Sequence, residues 1–269
     1  MTQRTIDVVP YNPAWPQQFA EEAKRLHNAL GNNCVEVLHI GSTAVPGLAA
    51  KPLIDLLPVV RDIRSVDVCN PAMEALGYMC MGEHGMLFRR FFQKGHGPNK
   101  TRNVHVFEQG NSEITRHALF RDWMRTHEDD KQAYAALKQH LAQTCPNDIT
   151  AYCLGKSDFV TQIDVKTGFH GHRWVLALTD AEWAQYHALQ YSAAGQVIGN
   201  DTHLPLVGYQ DTQPIAAAFV KQEPTRHAQS GITTHHPILH WLHFNPATTP
   251  ATQVTLRALL DRWLKEQHV

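Results

Sequence analysis

The sequence predicts an α/β (α+β) protein of two domains, and three observations carry the prediction. Short apolar runs bounded by Gly and Pro alternate with apolar residues at helical spacing over the first ~165 residues. The length of 269 residues exceeds the ~100–200 residues of one usual domain. Residues 165–172 break the helical period with turn-forming residues. A boundary there divides a domain of residues 1–166 from a smaller one of residues 167–269.

Asn12 and Pro13 read as the N-cap and first residue of a helix with Phe19, Ala23, Leu26 and Leu30 on one face and Gly31 as its stop. Residues 35–40 form a short strand, and residues 41–52, rich in Gly, Ala and Pro, a loop. Residues 53–60 form a second strand, apolar except at Asp55 and so expected to be buried on both faces. A helix over 65–76 stops at Gly77, and a polar loop joins strands over 86–93 and 103–107. Helices follow over 113–125, 129–143 and 149–164; Tyr134, Leu137 and Leu141 share a face of the second, and Tyr152, Lys156, Phe159 and Ile163 a face of the third. Beyond the boundary come a strand (173–178), a helix (180–189) capped by Thr179, a hairpin (203–220) turning at 210–213, a strand (238–244) and a helix (252–267) with Leu256, Leu259, Leu260 and Trp263 on one face.

A formal charge of -1 is not that of a globally basic nucleic-acid binder, so nucleic acid is not an expected partner. The five cysteines are scattered, odd in number and without a C-x-x-C pair, which fits a reducing compartment. Residues 1–10 have no apolar core of a signal peptide, and no apolar run approaches the ~18 residues a membrane helix needs. These features predict a soluble, cytoplasmic protein with no membrane partner.

HIGSTAVPGLAAKPLIDLLPVV, from His39 to Val60, is the most informative stretch. A strand runs into Gly41-Ser42, where backbone N–H groups and a hydroxyl can face an oxyanion. Asp55 then sits alone in an apolar strand, where a carboxylate needs a partner or a cation. The same residues also fit a tight turn and a buried acid paired with Lys51 or an arginine. The whole string, with Tyr11-Asn12-Pro13-Ala14-Trp15, Asn103-Val104-His105-Val106, Tyr134-Ala135-Ala136-Leu137-Lys138 and Tyr152-Cys153-Leu154-Gly155-Lys156, resembles the GrpB family over about residues 6–165. That resemblance implies a nucleotidyltransferase-like mixed sheet with helices and a phosphate or nucleotide site. Asp55 and Ser42 would be its catalytic residues, Asp55 its ligand to Mg²⁺, and Gly41, Ser42, Thr43 and Lys51 its phosphate-binding residues. Working nucleotidyltransferases carry a second carboxylate two positions on; here that position is Leu57. A third carboxylate on a later strand also has no clear counterpart, with His105 or Glu108 in the corresponding region.

No Asp or Glu lies between Glu83 and Glu108, whereas Arg89, Arg90, Lys94, Lys100 and Arg102 do. One of the adjacent Arg89 and Arg90 is expected to face the phosphate site, since neighbours on a strand point to opposite sides; a solvated basic hairpin fits as well. His105 and Lys156 complete the expected set, and Lys156 would otherwise snorkel outward.

The second domain resembles the front part of the GNAT acetyltransferase fold at residues 238–246 and 256–260. The turn that should grip the coenzyme A pyrophosphate, residues 247–253, has a proline and no glycine, so few N–H groups can converge there. The resemblance therefore implies a partial, degenerate domain, with acetyl-CoA not expected as a cofactor. Its apolar faces need cover from the first domain or from a second copy in a homodimer. His235, His236, His240 and His243 lack a neighbouring Cys or acid and are not expected to hold zinc. Three functions remain in view: metal-dependent nucleotidyl or phosphoryl transfer, non-catalytic binding of a phosphorylated small molecule, and acyl transfer by the second domain.

Overall fold

The computed structural model describes residues 6–194, 203–226 and 233–267, with side chains described except at 98, 190–194, 203, 222–226 and 233–236. The chain forms two compact units: Met1–His84 with Phe88–Phe169, and Gly85–Leu87 with His170–Val269.

The first unit is built on a mixed sheet of β1 (Cys34–Ile40), β2 (Ile54–Val60), β3 (Tyr78–Cys80), β4 (Arg89–Lys94) and β5 (Arg102–Glu108), in the order β1-β2-β5-β4-β3. β2 and β5 run parallel and the other neighbours antiparallel. One face carries Ile54, Leu56, Val104, Val106 and Phe92. That face packs with Trp15, Leu26 and Leu30 of α1 (Trp15–Leu30) and Met73 of α2 (Asn70–Ala75). Strand alternation puts Asp55, Leu57, Asn103 and His105 on the opposite face. On that side Val45 and Leu48 cluster with Met124, Tyr134 and Ile163. These last come from α3 (Ser112–Thr126), α4 (Glu128–Thr144) and α6 (Ser157–Lys166), with α5 (Ile149–Leu154) between the last two.

Several boundaries differ from the expectation for physical reasons. Asn12 caps a turn, its Oδ1 accepting from the Ala14 N–H at 2.9 Å, and α1 begins at Trp15. The helix expected over 65–76 is a 3-10 stretch, Arg64–Cys69, followed by α2, which Pro71 starts afresh. The single helix expected over 149–164 breaks after Leu154, where a Cβ on Gly155 would meet Leu141 Cδ2 at 2.4 Å. The strand expected over 86–93 is two pieces. Met86 pairs with Val175 in the second unit, and β4 starts only at Arg89. The flanking residues His84 and Phe88 both adopt positive φ, 46° and 64°, as the chain turns out and back.

The second unit is an antiparallel sheet of β6 (His172–Leu176), β7 (His203–Gln210), β8 (Gln213–Arg226) and β9 (Thr233–Phe244) in sequence order. It carries α7 (Asp180–Ala194) and α8 (Pro250–Glu266). Thr179 caps α7 as expected, its Oγ1 accepting from the Glu182 N–H while Glu182 accepts from the Thr179 N–H, a reciprocal box. The turn before α8 serves the helix itself: Thr249 Oγ1 accepts from the Thr252 N–H and Gln253 Nε2 donates to the Thr248 carbonyl. His240 packs edge-on to Phe219 and His243 stacks on Trp241; the side chains of His235 and His236 lie outside the described residues. No helix among the described residues is long and apolar enough to cross a membrane.

Candidate functional site

A cavity of about 290 Å³ opens in the first unit where β1 ends and β2 and β5 begin. Gly41 leaves β1 with φ 69° and ψ −170°, a conformation reserved for glycine. The approach it permits is close, since a Cβ there would lie 2.6 Å from Asp55 Oδ2. Residues Ser42–Ala44 then make a 3-10 turn. Arg125 ties that turn down by donating twice to the Ala44 carbonyl, at 3.1 and 2.8 Å.

Asp55 sits on the cavity wall with its side chain a quarter exposed. Asn103 Nδ2 donates to its Oδ1 at 2.8 Å, and His105 Nε2 stands 3.9 Å from the same oxygen. Burial works to raise the Asp55 pKa; His105, Asn103 and the Lys51 charge outweigh it and hold the carboxyl below its usual range. Asp55 is therefore a carboxylate at neutral pH. Burial pushes His105 down against the pull of Asp55, and pushes His117 to about 4, so the His117 ring is neutral. The buried Nδ1 of His105 and Oδ1 of Asn103 have no hydrogen-bond partner within the protein.

Three lysines line the same cavity. Lys51 and Lys156 lie against the Tyr152 ring, 4.7 and 4.6 Å from its centroid. Lys138 lies 4.7 Å from the Tyr134 ring centroid and donates to Ser42 Oγ at 3.0 Å and to the Ala49 carbonyl. Lys138 is only 2% exposed. Burial, with the charges of Lys156 and Lys51, pushes its pKa down from 10.5 to about 7. The cavity thus gathers three lysines and one acid, Asp55, in its wall, a balance of charge suited to an anion.

Gly41, Ser42, Thr43, Lys51, Asp55, His105 and Lys156 all line this cavity. The Thr43 hydroxyl, however, is taken by His39 Nε2 at 3.0 Å. Arg89 and Arg90 are not in the cavity wall, a correction to their expected phosphate role. Arg90 is held bidentately by Asp67 at 2.7 and 2.8 Å, and Arg89 donates to the carbonyls of Glu83 and His84. Sequence reasoning missed Lys138, Asn103 and His117 as site residues. Lys138 had a usable signal: it follows Tyr134 by four residues, as Lys156 follows Tyr152.

The donor set does not fit a two-metal centre. Asp55 is the carboxylate, Leu57 is fully buried at the next position on its face, and β5 offers Asn103 and His105. Among the described residues no group of three His, Cys, Asp or Glu side chains is placed to hold a metal ion.

Residues 5–166 match the family described as GrpB protein. The chain belongs to the GrpB family. The UPF0157 protein YqkA of Bacillus subtilis (strain 168) is 43% identical over 158 residues, 59% of this chain. The match spans about half of that relative's length, 46%. The crystal structure of conserved protein GrpB from Enterococcus faecalis is similar at 42% identity and a TM-score of 0.58, over 60% of this chain and 96% of that one. Its fold is that of the first unit. A structure of the Cid1 poly(U) polymerase matches at 12% identity and a TM-score of 0.40, over 55% of this chain and 50% of that one, a likeness too slight to assign fold or activity. The family match ends at residue 166 and gives no support to an acetyltransferase likeness in the second unit.

Proposed function

We propose that the first unit binds a phosphorylated small molecule or nucleotide in the Gly41–Ser42 cavity. The observation that carries the reading is the convergence of Lys51, Lys138 and Lys156 on one cavity whose acid is Asp55. Phosphate oxygens would replace water around the Lys51 and Lys156 ammonium groups and accept from the N–H groups of the 3-10 turn after Gly41. Asn103 donates to Asp55 Oδ1 and so holds part of that carboxylate's charge in a hydrogen bond. This is the binding reading of a nucleotidyltransferase-like site; with Leu57 in place of a second carboxylate, no transfer step is derived through a metal.

Calorimetric titration of the full chain with pyrophosphate and with ATP tests the reading. Lys51→Met and Lys156→Met are each expected to weaken binding about tenfold, the loss of one charge-assisted contact of about 1.4 kcal/mol. Arg90→Ala is expected to leave it unchanged. Absence of binding by either anion at millimolar concentration would overturn the proposal.

A further inference from the structure

We propose that this cavity selects its ligand by charge density: it takes a compact di- or triphosphate group and leaves any attached nucleobase unread. The inference rests on the reading of the cavity as a phosphate site and goes on to its substrate class. A base-reading pocket needs a free aromatic face and uncommitted donors and acceptors at fixed positions. Here the aromatic rings are engaged by the protein. Tyr152 carries Lys51 and Lys156 at 4.7 and 4.6 Å. Tyr134 stacks on Phe159 at 5.0 Å, meets Phe120 edge-on at 5.4 Å and carries Lys138.

The neutral polar groups are engaged or out of reach: the two unpartnered atoms, Asn103 Oδ1 and His105 Nδ1, are buried beneath the cavity surface. Asn103 gives its amide N–H to Asp55, Thr43 bonds His39, and Ser42 bonds Lys138. The groups best placed to meet a ligand are the half-buried Lys51 and Lys156, whose ammonium hydrogens bond any phosphate oxygen without regard to what the phosphate is attached to. A volume of about 290 Å³ is also at the lower limit of ordinary small-molecule pockets, roughly 300–1,000 Å³. A phosphate chain fills it with any nucleoside outside.

The test is a set of calorimetric titrations of the full chain, without added metal, using inorganic tripolyphosphate, ATP, GTP, CTP, UTP and adenosine. Tripolyphosphate and the four nucleotides are expected to bind within about threefold of one another, adenosine not at all, and Lys156→Met to weaken all five anions by the same factor. One nucleotide binding more than tenfold tighter than tripolyphosphate, or adenosine binding alone, would overturn the inference and leave the phosphate reading standing. If none of the anions binds, the phosphate reading itself fails and the inference falls with it.

Discussion

Replacing Lys138 with Met should change how stability depends on pH. The fall of its pKa from 10.5 to about 7 corresponds to about 5 kcal/mol of cost when the ammonium is held charged inside the fold, at about 1.4 kcal/mol per tenfold. The side chain is 2% exposed, so solvent screening reduces this little. Below pH 7 the folded and unfolded chains both carry the proton, and the whole cost is present. From pH 7 to about 10.5 the folded chain has lost a proton that the unfolded chain keeps, so stability rises with pH. Between pH 6 and 9 the relief is roughly 2–3 kcal/mol. Methionine fills similar space without a charge, and the Ala49 carbonyl it leaves unpaired costs the same at every pH. The stability advantage of Lys138→Met over the natural chain should therefore shrink by that amount from pH 6 to pH 9. Urea unfolding of both proteins at each pH measures it, and titrating groups remote from Lys138 cancel in the difference. A difference constant to within about 0.5 kcal/mol would refute the reasoning, because Lys138 would then titrate alike in both states.

Asp55→Asn removes the negative charge from a cavity read as an anion site and should tighten tripolyphosphate binding roughly three- to tenfold in EDTA, from a charge change on the order of 1 kcal/mol in a partly open site. Weaker binding, seen in calorimetry only when Mg²⁺ is present, would show Asp55 acting through the ion instead. Gly41→Ala puts a methyl 2.6 Å from Asp55 Oδ2 at φ 69° and should cost on the order of 2–4 kcal/mol. Thermal unfolding should then fall by roughly 5–10 °C; a fall under about 2 °C would mean the turn and the carboxylate part easily.

The cavity's framework was readable because its residues break local patterns. Asp55 interrupts an apolar strand, and Gly41-Ser42 ends another, so both stand out without knowledge of the fold. Lys156 stands out as a cation within an apolar helical stripe. Lys138 is the same kind of exception, but the face read from Tyr134, Leu137 and Leu141 does not include it. Arg89 and Arg90 misled for the opposite reason. An acid-free stretch describes neighbours in sequence, whereas the Arg90 partner is Asp67, 23 residues earlier, brought close by the fold. The strand over 86–93 failed at Met86 because its hydrogen-bonding edge is Val175, a pairing across 89 residues that no local periodicity records. Leu57 was legible and informative: an apolar side chain stands where the family resemblance implies a second carboxylate.

Cys153 shares the cavity wall with Tyr152 and Lys156, and it is exposed, while Cys34 is buried and Cys69, Cys80 and Cys145 are half-covered. On the proposed reading of the cavity, Cys153 is an occupancy gauge. A bulky thiol reagent should modify position 153 first, and a bound anion should slow that modification in proportion to the fraction of cavities filled. Timed alkylation followed by peptide mass mapping then yields a dissociation constant without an engineered label, and allows unlabelled metabolite mixtures to be screened for whatever protects this one thiol.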